Sequence, residues 1–197
     1  MGTYIDKDGK EKERTVEVRF SDTLRFMQDS LANLVSNLSP ESFEILKRFF
    51  PDEEQFELLL RKGVFPYDFF DGFNKLNAKK LPPIEAFYSI LNECGIEDYQ
   101  HAKKVCKVFT MKAFRGYHNT YLIGNKAQLA DVFENFRKLC MKVYELDPAQ
   151  YYTAPGLFWD ALFKSTGHKK ELLTDINMHI KFEGCTRGGY SGISNQF

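Results

Sequence analysis

The chain has 197 residues, of which 43% are apolar, with 19 Phe and 10 Tyr; this suits one domain or slightly more, supports a sizeable core and excludes disorder over most of the length. Lys+Arg and Asp+Glu both number 27, for no net charge, which argues against an autonomous, tight nucleic-acid binder while leaving room for a local basic groove. Four widely spaced cysteines (Cys94, Cys106, Cys140, Cys185), no CxxC pair, no secretory signal and no apolar run near the roughly 18 to 20 residues of a membrane span predict an intracellular protein of nucleus or cytoplasm with reduced thiols.

The first segment reads as a hairpin. "DKDGKEK" holds Asp8-Gly9, a two-residue turn signal, and "TVEVRF" alternates, with Val16, Val18 and Phe20 on one face and Glu17 and Arg19 on the other. "SDTLRFMQDSLANLVSNL" shifts to helical spacing through Leu24, Met27, Leu31, Leu34 and Val35. Ser39-Pro40 is an N-cap followed by a first-turn proline, opening "ESFEILKRFF". "DEEQFELLLRKG" closes on Gly63 as a helix C-terminus would. "FPYDFFDGFNKLNAKKLPP" is irregular, with turns at Asp71-Gly72 and Pro82-Pro83. "PIEAFYSILNE" and "EDYQHAKKVCKVFTM" predict two short helices. The strongest helix runs from Asp131 to Tyr144, where Leu129, Val132, Phe133, Phe136, Leu139, Cys140 and Val143 form one apolar stripe. "DPAQYYTAPGLFWDALFKSTG" is a proline-broken loop feeding a helix from about Ala154-Pro155, and "HIKFEGCTRGGYSGISNQF" reads as a strand followed by a Gly-rich tail. The sum is one mainly helical α+β domain with a small N-terminal antiparallel sheet.

Three runs carry a resemblance: "RKGVFPYDFFDGFNKLNAKKLPPIEAFYSILNE", "YHNTYLIGNKAQLADVFENFRKLCMKVYELDPAQYYTAPGLFWDALFKSTG" and "MHIKFEGCTRGG". From about Thr15 to Tyr190 the chain resembles the protein-primed family B DNA polymerases of organellar plasmids, viruses and Maverick/Polinton transposons, the transposon branch most. The resemblance implies that residues 1–180 are part of a ribonuclease-H-like 3′–5′ exonuclease domain and that 181–197 form a connector towards a polymerase palm. It implies single-stranded DNA and a priming protein as partners, with Mg²⁺ as the cofactor of the parent family and none in the isolated chain. The first exonuclease motif, Asp-x-Glu, has only Asp6-Lys7-Asp8 near it, and the second exonuclease motif and both palm aspartate motifs are missing from the sequence.

Four short matches carry the implied roles. Thr23-Leu24-Arg25-Phe26-Met27 resembles the Ser/Thr-Leu-x-x-hydrophobic motif that contacts single-stranded DNA and the priming protein. Lys62-Gly63-Val64-Phe65 resembles Lys-x-x-hydrophobic, whose lysine assists the exonuclease centre. Tyr121 and Asn125 occupy the third exonuclease motif, Tyr-x-x-x-Asp. Thr186-Arg187-Gly188-Gly189 resembles the Tyr-x-Gly-Gly connector motif that binds the template; Thr in place of the ring removes a stacking surface.

The substitution at 125 matters for an electrostatic reason. Two divalent ions about 4 Å apart need anionic oxygen ligands, and Asn125 brings one neutral carbonyl oxygen, so the motif is vestigial and no metal site is expected. Each motif also has a plain structural reading. Tyr121 and Asn125 lead into the helix, with Asn125 as its cap. Asp131 is an acid of that helix's first turn. Lys62 neutralises a helix end, Thr23 begins a helix beside Asp22, and Arg187, Gly188 and Gly189 belong to a flexible tail. His101, Cys94 and Cys106 match no zinc spacing and are packing residues. "FPYDFF" and Trp159 belong to the core or to an interface, and exposed aromatics among them would favour self-association. Besides a polymerase fragment, the sequence allows a repurposed module that binds single-stranded DNA or protein, or a degenerate transposon remnant.

Overall fold

The computed structural model describes residues 3–5, 10–13, 20, 22–88 and 94–185. Among these the protein is mainly helical, with seven α-helices: α1 (Leu31–Ser36), α2 (Glu44–Phe49), α3 (Glu53–Leu58), α4 (Ile96–Val108), α5 (Phe114–Tyr144), α6 (Ala154–Thr166) and α7 (Ile176–Cys185). Short 3₁₀ turns at Thr23–Arg25, Pro40–Ser42, Phe73–Asn77, Ile84–Phe87 and Pro148–Gln150 join them. Two three-residue strands, β1 (Thr3–Ile5) and β2 (Glu11–Glu13), pair antiparallel with Thr3 opposite Glu13. Ile5 is exposed, and among the described residues the expected N-terminal sheet is not found beyond this ribbon. Asp8-Gly9 and all of "TVEVRF" but Phe20 lie outside the described residues.

The fold is organised around α5. At 31 residues it spans about 46 Å, and it serves two clusters in turn. The first half carries Phe114 and Tyr117 into a cluster with Leu58, Phe65, Leu76, Phe87, Ala102 and Val105. The middle carries Ala127 and Val132 into a second cluster with Val35, Phe43, Leu46, Phe50, Phe56 and Leu59. Leu139 and Val143, read as stripe residues, are exposed. Nor does any described helix have the length and apolarity to cross a membrane.

Caps account for most boundaries. Ser30 Oγ accepts the Asn33 N–H at the start of α1, and Asp52 Oδ1 accepts the Gln55 N–H at the start of α3. Asp98 reaches back to the Gly95 N–H at the start of α4. As read from the sequence, α6 begins at Ala154-Pro155, and it ends at Gly167 with φ +65°, where a residue without Cβ is favoured.

Four expectations are corrected. The "SDTLRF…" helix is broken, because Asp22 caps a 3₁₀ turn and Ser30 starts a separate helix. Ser39 with Pro40 opens the 3₁₀ turn Pro40–Ser42 rather than α2; its hydroxyl makes no cap bond and faces Ser42 Oγ at 3.0 Å, and α2 begins at Glu44. Helix α3 stops at Leu58, so Gly63 is not its C-terminus. The strand expected at His179–Cys185 is helical, and every residue of α7 is exposed: without a neighbouring edge to pair with, an alternating segment has no ladder to join. "PIEAFYSILNE" gives only the turn Ile84–Phe87, and residues 89–93 lie outside the described set.

Candidate functional site

Tyr121 and Asn125 stand one turn apart in the middle of α5, not at its start. Asn125 therefore caps nothing. Their face of the helix is crossed by the segment after α3, which is held at successive points. Gln128 Nε2 donates to the carbonyls of Leu59 (2.7 Å) and Arg61 (3.0 Å). The Tyr117 hydroxyl donates to the Val64 carbonyl. Gly63 lies against the Tyr121 ring: a Cβ at 63 would meet Tyr121 Cδ2 at 3.4 Å. The rings of Phe65 and Tyr121 stack at 4.8 Å, and the Tyr67 and Tyr121 hydroxyls are 2.8 Å apart.

Two of the sequence motifs thus meet: Lys62-Gly63-Val64-Phe65 runs beside Tyr121 and Asn125. Lys62 itself is half-buried and has no ion pair among the described residues. It sits four residues past the last residue of α3, so neutralising a helix end is not its role. Burial, and then the Tyr67 hydroxyl bond, push the Tyr121 phenol well above its ordinary range. Burial does the same to Tyr117. Both rings are neutral, hydrogen-bonding packing elements at any ordinary pH.

The chemistry this face can perform is limited by what it lacks. Asn125 supplies an amide, and Asp131, six residues on, points about 240° away round the helix. Asp131 is committed elsewhere. It is buried, and its two carboxylate oxygens accept the Ile45 and Leu46 N–H groups, both at 2.8 Å. These are first-turn amides of α2, so Asp131 caps a helix 86 residues away in sequence. The expectation of a first-turn acid is corrected: the favourable dipole is that of α2, while Asp131 is mid-helix in its own element. Asn135, one turn on, donates to the Ser42 carbonyl at 2.9 Å, and Lys138 pairs with Glu44 at 2.7 Å. Among the described residues, no three His, Cys, Asp or Glu side chains are grouped to hold a metal ion.

The remaining candidates are dispersed. Thr23 and Leu24 lie in a 3₁₀ turn whose cap is Asp22, which accepts the Leu24 N–H at 3.0 Å. Phe26, next in the chain, packs on Phe133 and Phe136. That anchors the turn about 18 to 23 Å along α5 from Tyr121. Leu24 lines an open hollow of about 730 Å³ with Arg25, Gln28, Asp29 and Ser30. Arg187, Gly188 and Gly189 lie outside the described residues, as do Asp6-Lys7-Asp8. The His101 Nε2–H donates to the Leu58 carbonyl at 2.9 Å. Burial lowers the His101 pKa and lifts the Cys106 thiol to about 11. Both are packed groups, as the sequence suggested. Compared with known protein families, with curated proteins and with solved structures, the chain matches none.

The sequence reading missed Gln128 and gave Asp131 a different role. Gln128 and Asp131 are the polar residues fully buried among those described, and each clamps a distant element. The only signal was their position: polar side chains three apart within the otherwise apolar "AQLADVF", on faces that packing would demand be apolar unless a partner satisfied them.

Proposed function

We propose that this chain is part of a protein-primed family B DNA polymerase, where it helps to present single-stranded DNA to the enzyme's centres without cutting it. The helices would be the helical portion of a ribonuclease-H-like exonuclease domain, and the residues after 180 a connector towards the palm. The priming protein would be a second partner, and Mg²⁺ the cofactor of the whole enzyme. The reading rests on the sequence resemblance. The observation that carries it furthest is the meeting of Lys62–Phe65 with Tyr121 and Asn125, because two motifs nearly sixty residues apart share one helix face. With an amide at 125 and the carboxylate of Asp131 spent on α2, that face is a scaffold rather than a catalytic centre.

A labelled single strand titrated with protein at several salt concentrations tests this. The expected result is salt-dependent binding that weakens severalfold in Lys62→Ala and Thr23→Ala. Binding indifferent to both substitutions would remove the assigned motif roles.

A second reading, a protein-binding module, is favoured by one specific feature. Phe158, Trp159 and Leu162 of α6 and Ile176, Ile180 and Phe182 of α7 are all exposed. Salt-insensitive association lost in Trp159→Ser would support it.

A further inference from the structure

The neutral overall charge hides a segregation. Residues 99 to 130 contain six cations (Lys103, Lys104, Lys107, Lys112, Arg115 and Lys126) and no Asp or Glu. Residues 72 to 84 add Lys75, Lys79 and Lys80, again without an acid, whereas residues 41 to 57 hold six acids against two cations. The fold sharpens this pattern. Several cations are paired: Lys47 with Glu53, Arg61 with Asp98, Lys75 with Asp71, Arg137 with Asp147, Lys138 with Glu44 and Lys164 with Glu145. Lys79, Lys80, Lys112 and Arg115 are exposed and have no such partner among the described residues.

A backbone bond draws those four together. The Phe114 N–H, at the start of α5, donates to the Ala78 carbonyl at 2.8 Å. Lys79-Lys80 therefore leave the point that Lys112 and Arg115 flank. An exposed ring belongs to the same end of the molecule. Phe73 is 83% exposed and rests edge-on against Phe70, which in turn contacts Phe114 and His118. Unpaired cations around an exposed aromatic ring are what a single strand requires, phosphates for the former and a base face for the latter.

We infer that this end of the molecule, around the Ala78–Phe114 bond, is a binding surface for single-stranded nucleic acid, separate from the Tyr121 face. The inference stands on charge and exposure, and would survive the loss of the polymerase reading. Clustered cations that no acid pairs attract a polyanion at short range even in a protein of zero net charge, because fields beyond about 8 to 10 Å are screened at physiological salt. The exposed Phe73 favours an unpaired strand over a lipid surface or a duplex, since only the strand offers a free base to stack.

The test uses the full chain and a fluorescent 20-nucleotide oligothymidylate, read by anisotropy between 50 and 200 mM salt. The quadruple variant Lys79→Ala, Lys80→Ala, Lys112→Ala, Arg115→Ala should bind at least tenfold more weakly. Its log–log salt slope should be smaller by about 3, at about 0.7 per phosphate contact. Phe73→Ala should weaken binding with the slope unchanged, and the four positions as arginine should restore it. Lys47→Ala with Lys138→Ala, which removes two paired cations, should leave it as it was. Oligonucleotide affinity and slope unaltered in the quadruple variant would overturn the inference, even if Lys62→Ala or Thr23→Ala reduced binding. So would loss, in that variant, of binding to phosphatidylserine vesicles when no oligonucleotide is bound. Loss in the quadruple variant with Lys62→Ala and Thr23→Ala silent would uphold it and count against the motif roles proposed above.

Discussion

At the scale of single residues, the molecule depends on two buried polar side chains that act at a distance. Asp131 accepts two first-turn amides of α2, and its loss would leave both without a partner in a dry site. Truncation of a buried, charged hydrogen-bonding group costs more than the bond's net contribution, because the orphaned donors keep their desolvation cost. We expect Asp131→Ala to lower stability by about 3 kcal/mol in urea unfolding. Asp131→Asn, which keeps one acceptor oxygen, should lose clearly less. Equal losses would show that the carboxylate is not the cap.

Burial also sets a pH dependence. The Cys106 thiol is lifted to about 11 from an ordinary 9. A pKa raised in the folded state contributes stability that is complete below the unfolded value and is lost as pH rises through the folded one. Stability should therefore fall between about pH 9 and pH 11, with Tyr117 and Tyr121, raised further by burial, adding to the loss from pH 10 upward. Urea midpoints at pH 8 and pH 10.5 measure this, and Cys106→Val should reduce the drop. An undiminished drop in that variant would assign it to the tyrosines and to Cys94 and Cys140, whose thiols burial also raises.

At the scale of elements, legibility followed the locality of the cause. Helices α4 and α6 were read nearly to their ends because their signals, an acidic first turn in one and Ala154-Pro155 in the other, lie inside them. The first half of α5 was missed because Gly116, Gly124 and the polar run His118-Asn119-Thr120 interrupt its apolar pattern. The boundary of α2 was misplaced because its cap comes from α5. Helix α7 was read as a strand because Ile176, Met178, Ile180 and Phe182 alternate with polar residues, a period-2 pattern. As a helix it places apolar groups on opposite sides and buries none of them. A ten-residue helix without tertiary packing is marginal in water. We expect its amides to exchange within seconds in hydrogen-exchange mass spectrometry, and a chain ending at residue 170 to melt within about 2 °C of the full one. Slow exchange there would mean that the exposed side chains are covered in solution, as self-association through α6 and α7 would do.

At the scale of the whole molecule, composition gave a balance of charges and the fold gave their distribution: acids gathered at residues 41 to 57, cations from 99 to 130. The candidate site was legible in part. Lys62–Phe65 and Tyr121 with Asn125 were singled out separately, and their adjacency needed the crossing of the 59–67 segment over α5, held by Gln128 and Tyr117. What no short motif could convey is that the nearest acid along the helix, Asp131, has both oxygens occupied by α2.

That arrangement is the core of the proposal: a tyrosine-lined helix face that, on the proposed reading, has an amide where strand cleavage needs a carboxylate, and among the described residues no group of acids that could hold a metal ion in its place. The most direct test is incubation of the purified chain with 5′-labelled single-stranded DNA in Mg²⁺ or Mn²⁺ alongside the Tyr121→Phe and Asn125→Asp variants. The account predicts an intact strand in every lane, since one restored acid cannot hold two divalent ions. Stepwise 3′ shortening by the unaltered chain that disappears in Tyr121→Phe would contradict it.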